Sequence, residues 1–557
     1  MQVNRFKTTF AENIFRQKYA QGGNDTWDAL ADRLVEDVCG TRWGTQPALL
    51  SESDRKELAE HIKSMRFLPG GRYLYYAGRP YKAYNNCYLL RAEEDTREEW
   101  SNVTWRAMSC LMTGGGIGID YSRIRASGKP LSRTGGIASG PLPLMSAINE
   151  IGRNVMQGGS RRSAIYASLN WQHEDIPEFL RAKNWSNVVR EQKGKDFNFP
   201  ATLDMTNISV NYDDAALGAT SWSTGEFTTS LATNPVFLQN VRQAMETGEP
   251  GFSFNFGSKQ NETLRNACTE VTSEDDSDVC NLGSINLGNI KNVEEFRSVV
   301  QLASKFLVCG TLRADLPYEK VYKVREKNRR LGLGLMGVAE WLMQRGSKYE
   351  VTQELHQWLA AYRDESKKSA DEHCDRFYIS RPVAYRAIAP TGSIGILAST
   401  TTGIEPLFAV AYKRRYLTNG TQWKYEYVVD ATAQRMINEY GTDPETIPTA
   451  YKLSTDVEAR IKLQADIQAY VDMSISSTIN LPQWGSKHNN EDHVASFAAI
   501  LAKYAPQLRG FTAYPDASRG GQPLVEVDYA TALAHRGTVF SEHDICDISG
   551  KGGSCGV

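Results

Sequence analysis

Asn266-Ala267-Cys268-Thr269-Glu270 decides the reading of this chain, with Cys280 shortly after it and Asn85-Asn86-Cys87 far upstream. In an extended strand successive side chains point to opposite faces, so alternation would set Asn266, Cys268 and Glu270 on one face and Ala267 and Thr269 on the other. That face would carry a hydrogen-bonding amide, a thiol and a general base. A lone cysteine in a strand usually reads as a small buried apolar group. Asn and Glu beside it are poor core residues, and they turn the reading toward chemistry.

The segment is similar to the active-site finger loop of ribonucleotide reductase catalytic subunits, whose pattern is Asn-x-Cys-x-Glu. The resemblance implies α/β architecture: a ten-stranded α/β barrel with a central cysteine finger loop, a helical N-terminal region and a flexible C-terminal tail. It also implies roles. Cys268 would carry a thiyl radical that takes the 3'-hydrogen of a ribonucleotide, Glu270 would accept the 3'-hydroxyl proton, and Asn266 would hydrogen-bond within the substrate site. Cys87 and Cys280 would supply two electrons and close to a disulfide. Tail thiols Cys546 and Cys555 would then reduce that disulfide by thiol exchange, and a thioredoxin- or glutaredoxin-type protein would reduce them in turn.

Composition agrees. The chain has 557 residues, 41% hydrophobic and 23% charged, which is enough to bury a large core. A net charge of −2 advertises neither nucleic acid nor a basic partner, so the expected substrate is small. No signal peptide or membrane-length apolar run is read, and nine cysteines in a chain this long do not make a disulfide framework. The expected location is a reducing cytoplasm, that of the host if a phage encodes the chain. Cys39, Cys110, Cys309 and Cys374 fall outside any motif and read as packing residues.

Three segments are expected along the chain. Residues 1–80 read as mostly helical, with amphipathic Trp27–Val35 and a turn at Leu68-Pro69-Gly70-Gly71. Residues 81–533 alternate short apolar strands, such as Gly116–Asp120, with helical stretches, such as Phe296–Cys309, and form the barrel. Residues 534–557 end in a Gly-rich run and make the tail. The glycines of Thr113-Gly114-Gly115-Gly116-Ile117-Gly118 match no dinucleotide or Walker pattern and are expected to serve tight packing.

Two further motifs concern phosphate. Ala389-Pro390-Thr391-Gly392-Ser393-Ile394-Gly395 is a small-residue turn able to open a helix with unbonded backbone N–H groups. It is similar to the family's Pro-Thr-x-Ser turn, which assigns Pro390, Thr391, Gly392, Ser393 and Ile394 to the substrate phosphates, with family-like Gly403-Ile404-Glu405-Pro406 downstream. Gln157-Gly158-Gly159-Ser160-Arg161-Arg162 combines a permissive backbone with cations and resembles the specificity loop. By the same resemblance Asp95 and Arg125 would contact an effector dNTP with Mg at the interface of a homodimer. The resemblance is to minimal phage-like reductases, in which no N-terminal ATP cone, and so no on/off control by dATP at such a site, is expected.

The radical source divides the resemblance. Reductases fed by a dimetal, ferritin-like small subunit relay the radical through paired tyrosines. Here Gly510-Phe511-Thr512-Ala513-Tyr514-Pro515 offers Tyr514 followed by Pro515. Asn-Ala-Cys-Thr-Glu resembles the small-subunit class I, whereas Asp516-Ala517-Ser518-Arg519 resembles the adenosylcobalamin-dependent class II. The expectation is a small subunit with Tyr514 as relay and no cofactor or metal held tightly by this chain, with adenosylcobalamin as the alternative. A glycyl-radical barrel enzyme and a redox-dead nucleotide-binding module are the readings from other classes.

Overall fold

The computed structural model describes residues 5–41, 47–155, 163–196, 199–218, 227–418, 422–516, 518 and 524–541. Its framework is a closed ring of strands. Cys87–Arg91, Gly116–Asp120, Ile165–Asn170, Thr206–Tyr212 and Gly251–Phe254 pair in that order, all parallel. Asp278–Asn286 pairs parallel with Leu331–Met336, and Thr478–Leu481 pairs parallel with Gly510–Pro515. The two halves join through antiparallel contacts, Cys87–Arg91 with Asp278–Asn286 and Gly251–Phe254 with Gly510–Pro515. Residues 384–388 close the ring, bridging Leu333 through Arg386 and Ile475 through Ile388. The main sheet has ten strands, the tenth being Phe67–Pro69, which pairs antiparallel with Asp278–Asn286.

Alternation explains which residues line the lumen. On the first strand Tyr88 and Leu90 join the large core beneath the helices, while Cys87 and Leu89 point the other way. They join a smaller inner cluster with Cys280, Leu282, Ala387, Ala389 and Met473, and with Leu264 and Val271 from the segment that enters the barrel. Parallel strands need crossovers, and helices supply them. Arg97–Met112 starts at Thr96, whose hydroxyl accepts from the Glu99 N–H, and Val293–Arg313 starts at Asn292, which accepts from Glu295 N–H. Val293–Arg313 packs on Gln353–Arg376, where the Phe296 and Trp358 rings lie 4.9 Å apart.

Three expectations change. Asn266–Glu270 is not a strand: pairing stops after Leu264–Arg265, and the Thr269 N–H closes a turn on the Asn266 carbonyl at 3.0 Å, with Thr269 at φ 70°. Leu68 and Pro69 are strand rather than turn; an edge position tolerates a proline that cannot donate, and a short helix, Gly71–Tyr76, follows directly. Val539–Ser541, assigned above to the tail, pairs with residues 424–426. It belongs to a four-stranded sheet with Ala411–Thr418, Gln422–Val429 and Leu524–Glu526 that sequence reading missed. The Asn419-Gly420 dipeptide between two alternating runs was the available signal for that hairpin. Among the described residues no helix is long and apolar enough to cross a membrane.

Candidate active site

Residues 264–271 enter the barrel as a finger, and the lumen is shaped to admit it. A Cβ on Gly118 would lie 1.7 Å from the Arg265 carbonyl oxygen, and one on Gly116 would lie 3.2 Å from the Ala267 Cβ. These glycines serve close backbone approach, as read from sequence. Asn207 Nδ2 donates to the Ala267 carbonyl at 3.3 Å, and Ser474 N–H donates to the Glu270 carbonyl at 2.8 Å. Residues from separate parts of the ring thus hold the finger.

Its base is a buried ionic anchor. The Arg265 guanidinium donates to Asn255 Oδ1 at 2.6 Å and to the Arg509 carbonyl at 3.2 Å. Burial, with Arg509 beside it, lowers its affinity for the proton to a pKa of about 9. Glu262 bonds Arg509 at 3.1 Å and accepts from the Thr272 hydroxyl at 2.6 Å. Burial opposes its ionisation, yet Arg509, Arg330 and Lys259 outweigh that and hold its pKa near 2.

At the tip, Cys268 is exposed while Cys87 and Cys280 are buried, and none of the three is in a disulfide. Cys87 and Cys280 are direct Cα partners across the antiparallel strand pair. Such partners sit roughly 4.5–5.5 Å apart, inside the window of about 4.4–6.8 Å that a disulfide needs. Burial pushes both thiols well up, and the nearby Glu270 carboxylate adds to this at each. Asn266 stitches the group together: Nδ2 donates to Cys87 Sγ at 2.9 Å and Oδ1 accepts from Val271 N–H at 3.0 Å. Glu270 is 1% exposed. Burial raises its pKa to about 7 against an opposing hydrogen bond from Asn266, and its Oε2 atom is buried without a hydrogen-bond partner among the described residues. A carboxyl poised near neutrality suits proton transfer.

Cys87, Asn266, Cys268 and Glu270, though not Cys280, line a cavity of about 300 Å³ together with Ala389, Pro390, Thr391, Gly392, Ser393 and Ile394. Gly392–Ala398 is a helix, as the turn predicted, and its first-turn N–H groups have no carbonyl within that helix. Thr391 adopts φ 51°, and its hydroxyl accepts from Gly403 N–H at 2.9 Å, which ties the turn to the Gly403-Ile404-Glu405-Pro406 segment. Arg72 and Asn86 also line this cavity. Sequence reading gave neither a role, and a pocket assembled from separate strands offers no local signal for them.

The remaining predicted residues lie elsewhere. Asp95 and Arg125 pair with each other and line a separate cavity of about 390 Å³ with Arg97, Arg133 and Thr134. Tyr514 lies half-buried on Gly510–Pro515 opposite Asn480 and is not among the residues lining the 300 Å³ cavity. Gln157, Gly158, Gly159, Ser160, Arg161, Arg162, Cys546 and Cys555 lie outside the described residues. Cys39, Cys110, Cys309 and Cys374 are all buried away from the cavity.

Comparison with known proteins converges on one family. The profile described as "Ribonucleotide reductase, barrel domain" matches residues 85–218, 222–358 and 381–505, well over half of the chain. A vitamin B12-dependent ribonucleoside-diphosphate reductase of Mycobacterium tuberculosis is 26% identical, covering 92% of this chain and 78% of that protein. A protein of the same description from Thermoplasma acidophilum is 26% identical over 84% of this chain and 65% of its own length. A ribonucleoside-diphosphate reductase subunit alpha of Synechocystis is 26% identical over 53% of this chain and 42% of its own length. Barrel, finger and profile agree: this chain belongs to the ribonucleotide reductase family and is an enzyme of the ribonucleoside-diphosphate reductase type.

Proposed function

We propose that this chain reduces ribonucleoside diphosphates to 2'-deoxyribonucleoside diphosphates through a thiyl radical on Cys268, with adenosylcobalamin as the radical source. The observation that carries the reading is one exposed thiol at the finger tip, set between a carboxyl poised near neutrality and two thiols in direct strand register. Hydrogen-atom transfer from the ribose 3'-carbon to the Cys268 sulfur starts the cycle, while Glu270 accepts the 3'-hydroxyl proton. The 2'-hydroxyl leaves as water, Cys87 and Cys280 release two electrons and two protons as their S–S bond forms, and Cys268 returns its hydrogen atom. Thus one diphosphate and two thiols give one deoxy product, one disulfide and one water. Cys546 and Cys555 would restore the dithiol for a thioredoxin- or glutaredoxin-type reductant.

The cofactor reading is supported by the names of the relatives, which favour it over the small-subunit source expected from sequence. It is also supported by a second cavity of about 560 Å³ that shares Gly392 with the first. Ser399 Oγ in its wall is buried without a hydrogen-bond partner among the described residues, and Thr400, Thr402, Phe408 and Tyr412 line it. Hydroxyls and rings of this kind fit part of a large amphipathic cofactor, and these are the residues that would hold it. When bound, adenosylcobalamin supplies the radical chemistry that removes a thiol hydrogen atom.

Substrate phosphates would meet the N–H groups of Thr391, Gly392, Ser393 and Ile394. A dNTP with Mg would occupy the Asp95, Arg125 and Arg133 cavity. The helix beside it, Arg97–Met112, exposes Trp105, Met108 and Met112 along one face, which suits a homodimer interface.

The test is anaerobic CDP reduction by the purified chain with dithiothreitol, an effector dNTP and adenosylcobalamin. Deoxycytidine diphosphate is the expected product. No product, with turnover only when a ferritin-like partner is supplied, would return the reading to the small-subunit source and to Tyr514.

A further inference from the structure

Two asparagines line the catalytic cavity, and their hydrogen bonds differ. Asn266 is spent within the protein: Nδ2 on Cys87 Sγ at 2.9 Å and on Glu270, and Oδ1 on the Val271 N–H at 3.0 Å. Asn86 is the reverse. Its Oδ1 is buried and makes no hydrogen bond among the described residues. Its main chain is already used, since the Asn86 carbonyl accepts from the Gly116 N–H at 2.8 Å and fixes the residue at the mouth of the strand. The site also makes room for the side chain: a Cβ on Gly70 would lie 2.6 Å from Asn86 Nδ2 and 3.0 Å from the Leu282 carbonyl oxygen. A buried amide oxygen left unmatched is costly unless a ligand or water supplies a donor.

We infer that Asn86 is a substrate-reading residue, whose Oδ1 accepts a hydrogen bond from the ribose 2'-hydroxyl of the bound ribonucleotide. The assignment rests on the proposed function. Asn86 precedes Cys87 in the chain and both line the same cavity, where Cys87 would give up electrons as the 2'-hydroxyl departs. The donor chemistry selects the hydroxyl. Ribose hydroxyls are the donors common to every ribonucleotide, and the 2'-hydroxyl is the one that the product lacks, so this contact would also favour product release.

The experiment measures equilibrium binding of CDP and of 2'-deoxy-CDP to the full chain carrying Cys268→Ala, which cannot turn over. A second protein adds Asn86→Ala, and a third adds Gly70→Ala, which moves the Asn86 amide without removing it. Asn86→Ala should weaken CDP about fivefold to tenfold, the worth of one buried hydrogen bond, and leave 2'-deoxy-CDP within about twofold. Gly70→Ala should reproduce that loss of preference. Equal weakening of both nucleotides, or of neither, overturns the assignment of Asn86 alone. Failure of the folded Cys268→Ala protein to bind CDP overturns the assignment and the proposed function together.

Discussion

The finger tip and the cluster around Cys309 each set a thiol among hydrogen-bonding neighbours, and only the first does so beside a cavity. Cys309 Sγ lies 3.4 Å from His373 Nε2. Burial raises its pKa, but hydrogen bonds with Cys39 and His373 outweigh that and lower it. A lowered pKa of this kind is by itself the mark of a reactive thiol. Yet Cys39, Cys309 and His373 are buried between helices, 0%, 0% and 4% exposed. Cys268 is exposed on a loop that barrel strands grip from several sides. Access to a shaped cavity separates the two thiols, and a radical mechanism needs a reachable S–H rather than a thiolate.

The largest test of that contrast is Cys268→Ala. It should abolish CDP reduction while nucleotide binding persists, because no other thiol lining the cavity is exposed. Residual turnover in a radiolabelled product assay would break the comparison outright.

Glu270→Gln comes next. Loss of a general base costs roughly 10²–10⁴-fold, and single-turnover rates should show it. With the carboxyl pKa near 7, only its ionised form accepts the proton. The wild-type rate should therefore fall about tenfold per pH unit below 7 and level off above it, and the variant should lack that limb. A wild-type profile flat from pH 5.5 to 8 would remove Glu270 from the proton path.

Gly118→Ala sharpens the claim that the lumen is shaped for the finger. Its methyl would fall 1.7 Å from a backbone oxygen, which overpacking relieves only at about 1–3 kcal/mol. Misplacing Cys268 by about an ångström costs up to roughly a hundredfold in rate. Thermal melts and turnover measured together should show activity falling further than stability.

The smallest effect belongs to Cys309→Ala. Turnover should stay within about twofold of the parent, with stability lower by roughly 1 kcal/mol in urea melts. A large loss of turnover at unchanged stability would mean that the buried cluster has a catalytic role, against the contrast drawn above.

How much the sequence showed differs residue by residue. Gly116 and Gly118 were read as packing glycines, and the structure shows what packs on them, but the finger residues they meet, Ala267 and Arg265, come over a hundred residues later. Asn266–Glu270 was read as a strand because alternation is the simplest device for gathering three side chains. A turn gathers them instead, since the finger has no neighbouring strand to pair with beyond Arg265. The paired strands Ala411–Thr418 and Gln422–Val429 were missed although Asn419-Gly420 lies between their alternating runs. Arg72 and Asn86 carried no signal, for side chains that meet only through barrel closure leave none in local spacing.

The order of residues alone determined the residue types at the site, the α/β alternation and membership of the family, because the Asn-x-Cys-x-Glu pattern and the periodic strands are local properties of the chain. Only the tertiary structure decided that Cys87 faces Cys280 across an antiparallel pair, that Cys268 is exposed while Glu270 is buried, and that Glu270 sits near neutrality. Strand register, solvent access and the desolvation of a carboxyl all depend on segments far apart in sequence, which the barrel must close to bring together.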